Sequence, residues 1–286
     1  METKYRSIDI SSWVKVGEGG NGSTYEDLGQ PDILLKLNKK RLSGLETVKT
    51  EFDTSVAVAR LGLSTPRMIE IVKVGDSYAT IIERVRQKKS MSSICHDNPE
   101  RIDEMGRLLC SQLKILESTP CDTSIFLDHR QLALQAIQQA VYIPRNERDF
   151  MFSLISKVPE VTTCSHGDFQ TGNIIIAQNR CYWIDLGRFG YGHPIFDISH
   201  LYLICNVYSK IGRARNLFHM TREQLLQLWD SFAVAYSGNK SHADFDDYVK
   251  QHAAADILLR TAYDKPTFLE RLFFKAQIHS VLKPFV

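Results

Sequence analysis

Short apolar and alternating runs dominate the first third of the chain, and stripes at spacings of three and four dominate the remainder. Residues 14–16, the run from Thr24, "DILLKL" (32–37), "RMIEIVKV" (67–74) and "SYATIIERV" (77–85) have the β-branched and apolar content of strands. Gly75-Asp76 separates the last two as a two-residue hairpin turn, so the runs predict a small antiparallel sheet. One helix interrupts them at 43–62. Ser43 with Glu46 reads as a capping box, Gly62 as a stop, and Leu45, Val48, Phe52, Val56 and Ala59 as an apolar stripe with Glu51 beside it. From about residue 100 helical spacing takes over, over 101–117, 128–141, 195–210, 221–237 and 244–262. Thr221 with Gln224 opens the fourth of these as a capping box and Gly238 closes it. The pattern predicts an α+β protein, with a β-rich unit over 1–84 joined near 84–89 to a mostly helical unit over 85–286.

Composition narrows the partners. With 35 Lys+Arg against 33 Asp+Glu in 286 residues the formal net charge is +2, so nothing global selects a nucleic acid or an acidic membrane surface. The N-terminal "METKYRSIDISSW" carries charges where a signal peptide needs an apolar core, and no run approaches the roughly 18 apolar residues of a membrane span. A cytoplasmic protein is expected. Six cysteines without C-x-x-C spacing fit reduced thiols better than a disulfide framework, and Cys164 with His166 lacks the second ligand pair of a zinc site.

The stretch "SHGDFQTGN" (165–173) runs into the strand-like "IIIA". With "CYWID" it forms a hairpin about "QNR", and a turn centred on Asn179 makes Asn173 and Asp185 cross-strand neighbours. An amide oxygen and a carboxylate at one strand end are hard ligands that suit Mg²⁺, which takes few protein ligands. A hairpin with polar ends would account for this pair alone. Asp168, five residues before Asn173, adds a third group and completes a division into one base and two metal ligands.

Gly17, Gly19 and Gly22 form a G-x-G-x-x-G between two predicted strands. A dinucleotide fingerprint needs a helix next, whereas a glycine turn between strands can fold over a polyphosphate or simply be flexible. Lys36 is a lone lysine within the apolar "ILLKL". Either it sits on the solvated face, or burial requires a partner, for which Glu51 on the following helix is the natural one; the pair would then make a fixed cation for phosphate oxygens. In a nucleotide site the connector "IIERV" would offer the Glu83 C=O and the Val85 N–H to an adenine edge.

Glycine loop, strand lysine, helix glutamate, connector, His-Gly-Asp loop with an Asn, and an Asp ending a hairpin together resemble the protein-kinase-like fold. More narrowly, "LGLSTPR", "HGDFQTGNIII" and "YWIDLGRFGYGHPIFDIS" resemble the aminoglycoside phosphotransferase and choline kinase group. The resemblance spans residues 14 to about 205. It implies an ATP- and Mg²⁺-dependent small-molecule kinase in which Asp168 is the catalytic base, Asn173 and Asp185 hold Mg²⁺, and Lys36 supported by Glu51 positions ATP. It also implies that His166 and Asp197 brace the loop. A protein kinase is disfavoured, because only eleven residues separate Asp185 from Asp197, leaving little room for a peptide-docking segment. A nucleotide-binding pseudoenzyme or regulatory module is disfavoured by the presence of all five polar groups.

The acceptor stays open between an aminosugar, an amino alcohol and a neutral sugar-like metabolite. "HADFDDY" (242–248), Asp256, Asp264 and Glu270 could attract a cation, or form an ordinary solvated face. Trp229, Tyr236, Tyr248 and Tyr263 could cage a quaternary ammonium, or belong to the core.

Overall fold

A computed structural model describes residues 5–18, 22–212, 218–263 and 266–286. The chain divides into two compact units, one of Met1–Lys89 with Ile174–Gly187, the other of Ser90–Asn173 with Arg188–Val286.

The first unit is built on an antiparallel sheet of five strands, β1 (Val14–Glu18), β2 (Gly22–Glu26), β3 (Ile33–Asn38), β4 (Met68–Val74) and β5 (Ser77–Glu83), in the order β1-β2-β3-β5-β4. Its core is Leu35, Val72, Ala79 and Ile81, with Ile8, Trp13 and Leu37 packed against them. Gly75 turns the β4–β5 hairpin at φ +58°. Helix α1 (Leu45–Arg60) starts one residue later than a Ser43 cap would place it, because Gly44 is the N-cap. The Ser43 hydroxyl donates instead to the Lys40 carbonyl at 3.1 Å and bonds Ser77 Oγ at 3.0 Å. Nor does the helix bury the predicted stripe. Val48, Ser55, Ala57 and Val58 are buried and Ala59 is exposed, so the inward face runs 48, 51, 55, 58 and carries Glu51 within it.

A two-residue strand, β6 (Lys89–Ser90), follows in the chain, and the first unit also holds the hairpin of β9 (Ile174–Ala177) and β10 (Arg180–Trp183). Its turn is the residue pair Gln178–Asn179, at φ +50° and +61°, not a turn centred on Asn179. The ladder therefore runs from Arg180↔Ala177 to Trp183↔Ile174 and is centred between Gln178 and Asn179. The expected Asn173–Asp185 cross-strand pair is off by one residue. The Trp183 N–H donates to the Ser64 carbonyl at 2.8 Å, tying the hairpin to the segment between α1 and β4.

The second unit is helical: α2 (Met91–Asp97), α3 (Ile102–Ser118), α4 (His129–Gln139), α5 (Arg145–Ser156), α6 (Ile195–Tyr202), α7 (Arg222–Ser237), α8 (Ala243–Leu259) and α9 (Phe268–Leu282). Helix α3 packs on α7 through Gly106, where a Cβ would lie 2.7 Å from Ser231 Cβ. Past α6 the expected helix continues to Lys210 only as a π turn (Leu203–Val207) and a 3₁₀ turn (Tyr208–Lys210). The Thr221–Gln224 capping box forms, and Gly238 ends α7 at φ +70°. Helix α8 is buried along most of its second half, from Val249 to Leu259, and so acts as the unit's central helix. Among the described residues no helix is long and apolar enough to cross a membrane.

Three two-residue strands set the loop that matters. β11 (Gly190–Tyr191) lies between β7 (Leu127–Asp128), to which it is parallel, and β8 (Cys164–Ser165), to which it is antiparallel. Residues 166–173 leave β8 directly.

Candidate functional site

In the first unit Lys36 sits mid-strand on β3, paired with Thr24 and Thr80. Its Nζ lies 2.6 Å from Glu51 Oε1 and 2.5 Å from Asp185 Oδ1. The sequence anticipates the first partner and misses the second. Burial pushes the Lys36 ammonium down, but attraction to Asp185 and then Glu51 outweighs it and raises the group above its ordinary value, so it stays charged. Asn38 Nδ2 donates to Glu51 Oε2 at 3.3 Å and fixes the carboxylate's second oxygen. Asp185 adopts φ +57°, a left-handed conformation that a short polar side chain tolerates, and its side chain is 40% exposed.

The glycines serve different ends. Gly22 pairs with Asn38, and a Cβ there would lie 2.4 Å from the Leu37 carbonyl oxygen, so β2 and β3 can approach only with glycine. Gly17 borders a bulge in β1, and a Cβ there would make ordinary contact with Thr24. Gly19 lies outside the described residues. At the connector the Glu83 N–H donates to the Arg67 carbonyl at 2.9 Å and Glu83 Oε2 accepts from the Arg67 N–H at 3.1 Å, leaving the side chain exposed at the sheet's end. Val85 is half-buried just past β5.

In the second unit a buried carboxylate shapes the loop after β8. Asp197, near the start of α6, accepts from Ser165 Oγ at 3.0 Å, from the His166 N–H at 2.8 Å and from the Gly167 N–H at 2.9 Å. Gly167 turns at φ +74°, where a Cβ would lie 2.3 Å from the Arg188 carbonyl oxygen. That same carbonyl lies 3.0 Å from Nε2 of the fully buried His129, whose Nδ1 meets Ser165 Oγ at 2.8 Å. Backbone and side chains thus lock the turn that presents Asp168.

Asn173 Nδ2 donates to the Asp168 carbonyl at 2.8 Å and to Asp168 Oδ2 at 3.0 Å. Both partners only accept, so the amide nitrogen must face them and Asn173 Oδ1 is left as a donor atom for a cation. On the other side of Asp168, His200 Nε2 lies 3.0 Å from Oδ1, and Arg260 Nη2 lies 3.6 Å from it. His200 Nδ1 reaches Asp256 Oδ2 at 3.0 Å. Burial pushes the Asp168 carboxyl up, but its partners His200, Arg260 and Arg188 together hold it well below the usual carboxylate range.

Sequence reasoning missed His200 and Arg260, and it counted Asp256 only among the acids for the acceptor. The signal was available, because His200 stands in "ISHLYLI" and Asp256 in "AAADILL", each a lone ionisable residue within an apolar helical run, as Lys36 is within its strand. Asp256 is therefore not a free acid for a cationic acceptor. Glu270 is likewise engaged, as the N3 residue of a capping box with Thr267 that opens α9, and Asp246 accepts from Trp229 Nε1 at 2.9 Å. Trp229 is buried in the core against Tyr202, Phe232 and Phe245, and the half-buried Tyr236 stacks on Phe232 and Phe245. Tyr263 lies nearer the loop, with the Arg188 guanidinium 5.5 Å from its ring centre. Asp264 lies outside the described residues.

Among the described residues no group of three or more His, Cys, Asp and Glu is placed to hold a metal ion. Asp185 in the first unit is a part-exposed carboxylate and Asn173 Oδ1 in the second is an oriented amide oxygen, each a hard ligand of the kind Mg²⁺ takes.

Residues 13–233 match the profile of a family described as "APH: Phosphotransferase enzyme family". No curated protein matches the chain. Among solved structures, aminoglycoside phosphotransferase APH(4)-Ia is 13% identical with a TM-score of 0.62, over 96% of this chain and 94% of its own. A choline/ethanolamine kinase family protein from Mesorhizobium loti is 14% identical with a TM-score of 0.58, over 95% and 88%. Amicoumacin kinase hAmiN, solved with AMP-PNP, Ca²⁺ and Ami, is 12% identical with a TM-score of 0.56, over 98% and 90%. At such identities the likeness shows a shared fold, the protein-kinase-like fold expected from the motif order.

Proposed function

The chain belongs to the phosphotransferase enzyme family, and we propose that it moves the γ-phosphoryl group of ATP to a hydroxyl of a small metabolite. The observation that carries this reading is Asp168, presented by a turn locked through Asp197 and Gly167, and held ionised with one carboxylate oxygen fixed by Asn173. A carboxylate of such low basicity is a poor ground-state base. It orients the acceptor hydroxyl and takes its proton late, once the oxygen has begun to bond phosphorus.

Lys36, held by Glu51, would neutralise α- and β-phosphate oxygens; the glycine turn at Gly17, Gly19 and Gly22 would lie over the phosphates, and the Glu83 C=O and Val85 N–H would take the adenine edge. Asn173 and Asp185 would hold Mg²⁺, which when bound screens the charge of the phosphates. Catalysis then rests on positioning and charge neutralisation. APH(4)-Ia has been solved with AMP-PNP and hygromycin B, and APH(2")-IIa with ATP and streptomycin, which supports a nucleotide and a small acceptor as the substrate pair.

A panel of small alcohols, aminosugars and nucleosides, with a peptide pool alongside, tests this by acceptor-stimulated ADP release. Stimulation by a small hydroxylated compound is expected. Stimulation by peptides alone would sink the small-molecule reading, and nucleotide binding with no turnover and no Mg²⁺ dependence would indicate a pseudoenzyme. Asp168→Asn should lower transfer by about 10²- to 10⁴-fold while retaining ATP binding.

A further inference from the structure

His200 occupies a place in the second unit that the proposed chemistry does not by itself explain. It comes from α6, beside Asp168 of the loop, and faces two groups delivered by the central helix. These are Asp256 of α8 and, one turn on, Arg260 of the 3₁₀ turn (Arg260–Ala262) that follows it. Each ring nitrogen lies 3.0 Å from a carboxylate oxygen, Nε2 from Asp168 Oδ1 and Nδ1 from Asp256 Oδ2. The His200 and Asp256 side chains are only 2% and 4% exposed.

A neutral imidazole carries one N–H and one bare lone pair. In either tautomer that lone pair would lie at contact distance from a carboxylate oxygen, with little water to screen the repulsion. On the Asp256 side the ring meets a buried carboxylate at 3.0 Å, and a positive ring offsets that charge where a neutral one leaves it. Arg260 Nη1, 3.4 Å from both ring nitrogens, opposes the ring's charge; it also lies near Asp168 and cannot replace the ring on the Asp256 side.

We infer that His200, clamped by Asp256, is a positioning residue: an imidazolium with both nitrogens protonated that fixes the Asp168 carboxylate from behind. This rests on the reading of Asp168 as the base. Oδ1 faces His200 and Arg260, and Asn173 takes one lone pair of Oδ2, so the second lone pair of Oδ2 is the one that receives the acceptor hydroxyl. Because both His200 nitrogens already hold protons, the ring cannot relay one. The hydroxyl's proton passes to Asp168 as the new O–P bond forms and the bond to ADP breaks, and it then leaves to solvent or product.

The decisive measurement is the nitrogen NMR spectrum of protein labelled with ¹⁵N-histidine at pH 7. Both His200 ring nitrogens should appear protonated. One bare ring nitrogen would overturn the inference, and this readout needs no turnover, so it stands even if the phosphotransfer reading fails. Asp256→Asn should abolish the imidazolium signature and, in the ADP-release assay, lower kcat about 10- to 100-fold with the KM for ATP unchanged, while Asp256→Glu restores part of the rate. A folded Asp256→Asn protein with wild-type kcat, or with its defect confined to the KM for ATP, would show that the clamp does not act through Asp168.

Discussion

At Gly167 the loop turns at φ +74°, and the space a Cβ would need is taken by the Arg188 carbonyl. Gly167→Ala should therefore cost roughly 1–3 kcal/mol, read as a lower urea midpoint, and should lower turnover because the next residue is Asp168. Lys36 makes the complementary case in the first unit, where one ammonium separates the Glu51 and Asp185 carboxylates. Lys36→Ala removes charged hydrogen bonds worth about 1.5–3 kcal/mol each, so calorimetry should find ATP binding weakened on the order of tenfold to a hundredfold. Unchanged affinity would reduce Lys36 to a sheet residue. His200 carries a pH signature. Burial lowers its proton affinity and Arg260 lowers it further, but Asp256 and Asp168 raise it overall above the ordinary 6.5. Folding then binds a proton that the unfolded chain releases, so the clamp's stabilisation is complete below about pH 6.5 and is lost as pH rises through the raised folded value. Urea midpoints measured across that window should fall more steeply for the wild type than for Asp256→Asn.

At the scale of elements, what could be read in advance depended on whether one local rule governed the segment. Among the described residues Thr221, Gln224 and Gly238 meet no competing partner, and the helix starts and stops where they say. Ser43 looks equally good as a cap, but its hydroxyl is taken by Lys40 and Ser77, a long-range demand that nothing in "SGLE" announces. The hairpin shows the same limit: its existence is plain, whereas its register turned on whether one residue or two make the bend. Helix α5 shows no clear apolar stripe, because its buried positions are Glu147, Met151 and Ile155 and a carboxylate interrupts the pattern. That carboxylate meets His279 Nδ1 of α9 at 2.6 Å. In the site, Lys36–Glu51 is legible from a buried lysine's need for a partner, whereas His200 meets the same need with Asp256, 56 residues away on another helix. Thr221→Ala checks the local rule directly and should cost about 0.5–2 kcal/mol by urea denaturation, with ATP affinity unchanged.

For the whole molecule, the chain's path has a thermodynamic consequence. The first unit is not a contiguous stretch, since Ile174–Gly187 returns to it and brings Asp185 to Lys36 across 149 residues. Its stability therefore depends on a hairpin encoded after the first part of the helical unit. Tryptophans separate the two units, Trp13 and Trp183 lying in the first and Trp229 in the core of the second. If Lys36 and Asp185 hold nucleotide and metal, ATP with Mg²⁺ at about 100 times its Kd adds about 2.7 kcal/mol to the state that binds it. For a chain of this size that is a rise of roughly 5–10 °C in the melting transition followed by Trp183 in a Trp13→Phe, Trp229→Phe protein. Asp185→Asn should erase the Mg²⁺-dependent part of the rise, while Asp168→Asn should keep it, because the base acts on the acceptor and not on the bound nucleotide. Equal loss in both variants would mean that Asp168 is needed to bind nucleotide, and that the division of labour between base and metal ligands is wrong.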